Sequence, residues 1–173
     1  MKIFAYGSNM NANRLKQRVP SAIKLCNASL PGYKFSFSKR SNDGSGKGNI
    51  QETNIDGDTV VGVVFEINET EKPALDAVEG LGNGYNQTVV NLLDENGETF
   101  KAQVYIADES AVDNNLLPYD WYKEFVVTGA EQNDLPAEYV QNIRNIPFTA
   151  DTDVERKQRQ LAILKGTTRP KIL

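Results

Sequence analysis

The spacing of hydrophobic residues along this chain shifts repeatedly between the two-residue period of strands and the longer period of helices. An apolar run at residues 3–6 predicts a short buried strand. A helix is expected over residues 14–18, and Pro20 prevents it from continuing further. Residues 22–38 are rich in β-forming residues, and a Pro-Gly pair within them indicates two strand segments or one bent strand.

The next part of the chain contains a loop signal, a strand and a helix. Residues 41–49 contain three glycines and predict a mobile loop, since the GxxxxGK[ST] motif of a phosphate-binding loop is absent. Residues 59–67 give the strongest strand prediction. An acidic segment then begins a helix that runs to about Val78, and the spacing places Leu75 and Val78 on one face.

A tight hairpin comes next, and helices fill the rest of the chain. Runs at residues 85–94 and 98–107 flank an Asn-Gly pair, which is typical of two-residue hairpin turns. Aromatic residues recur at helical spacing over residues 119–127, and a later proline marks the first turn of another helix. Since no repeat or long linker divides the chain, the pattern predicts one α+β domain over residues 1–173, with a packed helical tail at about residues 151–165.

Composition narrows the chemistry that such a domain can perform. The chain carries 19 Lys and Arg residues against 23 Asp and Glu, so it lacks the basic surface that non-specific nucleic-acid binding needs. Histidine is absent, which excludes a Ser-His-Asp triad and His-ligated zinc or iron. Cys26 is the only cysteine, which excludes an intrachain disulfide and a CxxC site. The acid–base group of an enzyme built on this chain must be a carboxylate, a lysine or a tyrosine.

The N-terminal segment indicates the expected location. Its apolar stretch at residues 3–6 is too short for the core of a signal peptide and far too short for a membrane span. We therefore expect a cytoplasmic protein with neither a membrane nor a nucleic acid as its partner. A homodimer is left open.

The Tyr6-Gly7-Ser8-Asn9 segment lies where the first strand ends and a helix is about to begin. Such a turn can direct several backbone N–H groups at one point, which suits a carboxylate or a developing oxyanion. The same residues also fit an ordinary strand-to-helix connection, with Gly7 at a positive φ and Asn9, Asn11 or Asn13 as the helix cap. Physical arguments alone favour the ordinary connection.

Glu79 and Tyr122 are two further candidates. Glu79 is expected at the C-terminal end of a helix, where the helix dipole disfavours a charged carboxylate and so favours a role as general base. Asp76 is spaced three residues before it, so the two acids fit a solvated acidic face equally well. Tyr122 can present a hydroxyl at the rim of a pocket, whereas Trp121 and Phe125 of the same aromatic cluster are expected in the core.

Taken together, these segments resemble the γ-glutamylcyclotransferase family. The Tyr-Gly-Ser-Asn turn, followed by a Glu-Gly pair about seventy residues later, is the specific part of the resemblance. The resemblance covers the chain to about residue 147, through FAYGSNM at 4–10, Arg14, GVVF at 62–65, the Leu-Asp to Glu-Gly segment at 75–80, Tyr85, Tyr122-Lys123, Gly129-Ala130 and the segment 135–139.

The resemblance implies a small mixed β-barrel with helices packed around it. It also implies an enzyme that converts γ-glutamyl amino acids, or a γ-glutamyl-modified small molecule, to 5-oxoproline and the free amine without a metal or other cofactor. The α-amine of the substrate attacks its own γ-carbonyl, and one carboxylate takes and returns the proton. In this sequence the catalytic glutamate corresponds to Glu79, and the substrate-binding residues correspond to Tyr6, Gly7, Ser8, Asn9, Tyr85 and Tyr122.

Two assignments stay open within the resemblance. Tyr119 lies one helical turn from Tyr122, so either can be the pocket tyrosine. With Asn9, the turn resembles that of the branch that acts on γ-glutamyl amino acids, since glutathione-specific relatives usually have leucine at this position. The chain also resembles a branch that acts on a γ-glutamylated antibiotic intermediate, so the substrate stays open between the two.

Two functions of other classes also fit the sequence. One is a non-catalytic ligand-binding module on the same fold, which is disfavoured because the chain retains Glu79. The other is a structural protein that uses the aromatic cluster around Trp121 as an interface, which predicts no free pocket.

Overall fold

The computed structural model describes residues 1–82 and 84–166. Within these ranges, seven strands and five α-helices follow one another in the α+β pattern predicted from the sequence. The strands are β1 (Lys2–Ala5), β2 (Ile23–Pro31), β3 (Tyr33–Arg40), β4 (Gly46–Glu52), β5 (Thr59–Glu66), β6 (Tyr85–Asp94) and β7 (Thr99–Ala107). The helices are α1 (Ala12–Arg18), α2 (Lys72–Glu79), α3 (Asp120–Gln132), α4 (Ala137–Asn145) and α5 (Val154–Leu164).

Five of the strands close into a small barrel in the order β1-β5-β2-β6-β7. Neighbouring strands are antiparallel except at the closure, where β1 pairs in parallel with β7 at Ile3 and Gln103. β3 and β4 form a separate antiparallel sheet of two strands. The mixed barrel with surrounding helices, which the family resemblance implied, is confirmed.

β1 lies between two hydrophobic clusters, because successive side chains of a strand point to opposite faces. Phe4 belongs to a cluster to which all five barrel strands contribute. Ile3 belongs to a second cluster, in which barrel residues pack with Leu75 of α2 and Phe125 of α3. This second cluster packs α2 and α3, the two helices that carry candidate site residues, against the barrel.

Two local predictions are wrong. Residues 46–49 of the predicted mobile loop belong to β4, whose backbone pairs with β3, so only residues 41–45 form a turn. Glycine and serine usually mark loops, and their frequency hid this strand. Val78 is 51% exposed although Leu75 of the same helix is fully buried, so only a narrow face of α2 reaches the core.

The helices of the C-terminal third agree with their predictions. Trp121 and Phe125 of α3 are both buried in the core. α5 occupies most of the predicted tail, and its Leu161 packs against the second cluster. None of the described helices combines the length and the apolar sequence needed to cross a membrane.

Candidate active site

The residues after β1 form a turn that leads directly into α1. Ser8–Met10 makes one turn of 3-10 helix, and Asn11 then caps α1 by accepting a hydrogen bond from the backbone of Arg14. Gly7 has a φ of −117°, a value that any residue adopts. The positive φ expected for Gly7 is therefore wrong, whereas the cap of α1 is Asn11, one of the three asparagines that the sequence offered.

α3 packs closely against this turn. A Cβ built on Gly129 would lie 2.6 Å from the backbone nitrogen of Asn11, so a glycine is required for this approach. The side-chain amide of Asn133 donates a hydrogen bond of 2.9 Å to the carbonyl of Met10, which is itself fully buried. The turn is thereby held between the barrel and α3.

A cavity beside the turn contains about 350 Å³ of unoccupied space, part of it open to solvent. All seven site residues predicted from the sequence line it, and Glu79 is the only carboxyl group among the described residues of its wall. Within residues 1–82 and 84–166, no three acidic or thiol side chains are grouped so that they could hold a metal ion. The wall consists of Phe4, Ala5, Tyr6, Gly7, Ser8, Asn9, Gly48, Glu79, Tyr85, Tyr105 and Tyr122.

Glu79 is the last residue of α2, and Gly80 ends the helix in the left-handed conformation. Oε1 of Glu79 accepts hydrogen bonds from Nδ2 of Asn9 at 2.9 Å and from Nη1 of Arg18 at 2.8 Å. The same Nη1 donates to Oδ1 of Asn9 at 2.6 Å, so the three side chains form a closed network. Because the side chain of Glu79 is only 15% exposed, it does not belong to a solvated acidic face.

The two arginines of α1 are site residues that the sequence analysis did not select. Their spacing of four residues places both on one helix face, which is the signal that could have found them. Nε of Arg14 donates a hydrogen bond of 3.1 Å to Oγ of Ser8, while Arg18 pairs with Glu79. Burial, and then the neighbouring Arg18 cation, lowers the pKa of Arg14. The guanidinium groups of Arg14 and Arg18 therefore both lie beside the turn.

Buried tyrosines form another part of the wall. Tyr6 Oη donates a hydrogen bond of 2.6 Å to the backbone carbonyl of Tyr105, and Tyr85 Oη donates one of 2.5 Å to the carbonyl of Gly48. Burial raises the pKa of Tyr6 and that of Tyr85 well above 10.0. Both hydroxyls therefore stay protonated near neutral pH, where they donate hydrogen bonds and do not act as bases.

Gly48 is a wall residue that the loop prediction concealed. Its backbone N–H donates a hydrogen bond of 3.1 Å to Tyr122 Oη, and its carbonyl accepts one from Tyr85 Oη. β4 is therefore hydrogen-bonded to both tyrosines at this residue. Tyr119 instead donates a hydrogen bond of 2.9 Å to the carbonyl of Asp43 and does not line the cavity. Of the two candidate pocket tyrosines, Tyr122 is the one that faces the cavity.

Comparison with known proteins finds one family profile and several γ-glutamylcyclotransferases that are similar to this chain. The sequence profile of the AIG2-like family matches residues 59–143. The chain is 30% identical over 175 residues to the γ-glutamylcyclotransferase of Homo sapiens, covering 95% of this chain and 88% of the human protein. It is 32% identical over 153 residues to the γ-glutamylcyclotransferase of Mus musculus, covering 83% of this chain and 77% of the mouse protein. A solved structure of a γ-glutamyl cyclotransferase superposes with a TM-score of 0.83 at 28% identity, covering 95% of this chain and 98% of that one.

Proposed function

The chain belongs to the γ-glutamylcyclotransferase family and is an enzyme of this type, and we propose that it converts γ-glutamyl amino acids to 5-oxoproline and the free amino acid with Glu79 as its acid–base residue. The observation that carries the proposal is the position of Glu79. It is the only carboxyl group among the described residues of the cavity wall, and it is hydrogen-bonded to Asn9 of the turn.

The reaction begins with the α-ammonium group of the substrate, which must lose a proton before its nitrogen can attack. Both hydrogen bonds that Glu79 accepts from described residues go to Oε1, so we assign Oε2 as the atom that takes this proton. The nitrogen then bonds to the γ-carbonyl carbon and closes a five-membered ring. Collapse of the tetrahedral intermediate breaks the bond to the leaving nitrogen, to which Glu79 returns the proton. The ring nitrogen loses its second extra proton as the lactam forms, and this proton ends on the departing amine, which leaves as an ammonium group. General acid–base catalysis of this kind is worth about 10²–10⁴ in rate.

The backbone amides of the turn supply the oxyanion site in this proposal. No side chain caps the Ser8–Met10 turn, and the first N–H groups of a helix have no intrahelical acceptor. The amides of Ser8 and Asn9 can therefore bind the γ-carbonyl oxygen as it becomes negative. Losing one donor of an oxyanion site typically lowers the rate by about 10²–10³.

The tyrosines support the assignment by elimination. Tyr6 and Tyr85 are protonated near neutral pH because burial raises the pKa of each, so neither competes with Glu79 as the base. Their remaining role is to shape a cavity in which the flexible glutamyl chain is folded, with its nitrogen against its carbonyl. Such positioning supplies a large share of the rate enhancement in intramolecular reactions.

The test measures 5-oxoproline release from γ-glutamyl-alanine, glutathione and γ-glutamyl-lysine, with Glu79→Gln beside the wild type. We expect the wild type to prefer γ-glutamyl-alanine, and Glu79→Gln to lose about 10²–10⁴ in turnover because an amide cannot accept the ammonium proton. Glu69→Gln is the matched control, since Glu69 is exposed on the turn that precedes α2. Near-normal activity of Glu79→Gln would contradict the assignment, and a wild type that binds these compounds without cyclising them would contradict the proposed reaction.

A further inference from the structure

Lys39 carries an amino group beside the cavity that the proposed reaction does not use. Its Nζ lies 5.0 Å from the ring centre of Tyr85, a residue of the cavity wall, and its side chain is half-buried. Lys39 takes part in none of the salt bridges between described residues. Burial lowers the pKa of Lys39 although the nearby charges of Glu79 and Asp43 act in the opposite direction, so a further anion supplied by a ligand would stabilise this cation.

Lys39 also lies against the loop that follows Glu79. A Cβ built on Gly84 would be 2.8 Å from Cε and 3.0 Å from Nζ of Lys39, and Gly84 has a φ of +128° that side chains rarely adopt. Gly84 lines a second, open groove, together with Gly82 and Arg40. Lys39 therefore lies at the border between the cavity that holds Glu79 and this outer groove.

The other charges of the groove already have partners. Arg40 forms a salt bridge of 3.4 Å with Asp113. Asp108 accepts hydrogen bonds from the side chain of Asn86 and from Ser110. Lys39 is thus the cation at this border that forms no salt bridge with a described residue, although Glu79 and Asp43 lie near enough to favour its charged form.

In the proposed binding mode, the departing half of the substrate lies at this border. The glutamyl half occupies the cavity with its γ-carbonyl beside Glu79, and we place the leaving nitrogen toward Tyr85 and Lys39. In a γ-glutamyl amino acid, the nitrogen that leaves and its α-carboxylate are attached to the same carbon. The carboxylate therefore comes to the border together with the scissile bond.

We infer that Lys39 binds the α-carboxylate of the departing amino acid, and that this contact selects γ-glutamyl amino acids over γ-glutamyl amines. The inference rests on the proposed function and deepens it, because it assigns the half of the substrate that Glu79 and the turn do not hold. Gly84 leaves the Lys39 amine uncovered by a side chain, and the Tyr85 ring supports the amine from the cavity side. Lys39 is a specificity residue here and takes no part in proton transfer.

The experiment compares kcat/KM for γ-glutamyl-alanine with kcat/KM for γ-glutamyl-alaninamide, in which a neutral amide replaces the carboxylate. We expect the wild type to prefer γ-glutamyl-alanine by at least about tenfold, the order of a hydrogen bond between charged groups. Lys39→Met should lower this preference to about twofold or less, while Lys39→Arg should keep most of it. Arg40→Met is the matched control, because Arg40 is the adjacent cation and is already paired with Asp113. The ratio of two substrates on one preparation does not depend on how much of the protein is folded.

Three outcomes would overturn the inference while leaving the proposed function intact. The first is a wild type that cyclises both compounds with equal kcat/KM. The second is a Lys39→Met variant in which both values fall by the same factor, since Lys39 would then act on the glutamyl half. The third is an equal loss of preference in Arg40→Met. A wild type that releases 5-oxoproline from neither compound would instead overturn the proposed function, and the inference with it.

Discussion

Arg18 Nη1 and Glu79 Oε1 are 2.8 Å apart, although 61 residues separate them along the chain. Arg18 comes from the end of α1 and Glu79 from the end of α2, so the contact ties together the two helices that flank the turn. Arg18 and Asn9 donate to the same oxygen of Glu79 and are hydrogen-bonded to each other, so together they fix the orientation of the carboxyl group. Arg18 is therefore a positioning residue for Glu79.

Arg18→Met should lower kcat more than it raises KM. Without Arg18, the Glu79 carboxyl group is held by Asn9 alone and is less well aligned with the substrate proton. Arg18→Lys retains a cationic donor and should keep more of the activity. Lys16→Met is the control, because Lys16 is an exposed cation of the same helix. Equal kcat in Arg18→Met and the wild type would show that Arg18 does not position Glu79.

A second prediction concerns the hydroxyl of Tyr122, which accepts a hydrogen bond from the N–H of Gly48. Tyr122→Phe leaves this buried donor without its acceptor, so we expect stability to fall by about 1–2 kcal/mol. kcat/KM should fall as well, because β4 would no longer be held in the cavity wall. Thermal melting and 5-oxoproline release measure the two effects. Tyr33→Phe, at the start of β3 and outside the wall, is the control, and an equal loss in both variants would argue against a role for Gly48.

The sequence predicted the strands and helices well because their hydrophobic periods are clear, as in the hairpin that flanks Asn96-Gly97. It also selected every residue of the turn and Glu79, although only the family resemblance favoured them over ordinary surface roles. Gly48 escaped notice because the strand that holds it is rich in glycine and shows no hydrophobic alternation over residues 46–49. Arg18 escaped because its contact with Glu79 spans 61 residues, and its spacing of four residues from Arg14 was the one local signal of its role.

A third prediction concerns acid stability and the docking of α5. Hydrogen bonds from Arg156, together with Trp121 and the backbone of Asp153, outweigh burial and hold the pKa of Asp151 far below 3.8. Because this pKa is lower in the folded than in the unfolded chain, the stabilisation is complete above about pH 4 and is lost as the pH falls toward the folded value. The wild type should therefore melt at a lower temperature at pH 3 than at pH 7.

Asp151→Ala should reduce that difference, with the other aspartates of lowered pKa accounting for the rest, and should lower stability at pH 7 by about 2 kcal/mol, the order of a hydrogen bond to a charged group. Trp121, whose indole N–H donates to Asp151 at 2.7 Å, is the only tryptophan, so its fluorescence reports the change directly. Glu155→Ala in α5 is the control, since its carboxylate is 88% exposed. If Asp151→Ala and the wild type lose the same stability between pH 7 and pH 3, Asp151 is not the group responsible.

The last prediction tests the turn at Gly7, which lines the cavity and, having no side chain, leaves room for substrate. A Cβ built on Gly7 would lie 3.9 Å from Tyr122 Oη and 4.0 Å from Cα of Gly48, which are ordinary contact distances. Its φ of −117° is also open to any residue. Gly7→Ala and Gly7→Val should therefore fold, and their melting temperatures should stay close to that of the wild type. The added carbons, however, enter the cavity between Tyr122 and Gly48, where we place the glutamyl chain.

Activity should consequently fall in order of size, with a small loss for Gly7→Ala and a loss of about 10² in kcat/KM for Gly7→Val, as expected when a substrate is displaced by about 1 Å. Ser8→Ala should cost less than Gly7→Val, because the Ser8 side chain binds Arg14 and the proposed contact to substrate uses its backbone. Steady-state kinetics with γ-glutamyl-alanine, together with melting curves, separate occlusion of the cavity from unfolding. A fully active Gly7→Val enzyme would remove this turn from the substrate site, since the added side chain would then not meet the substrate.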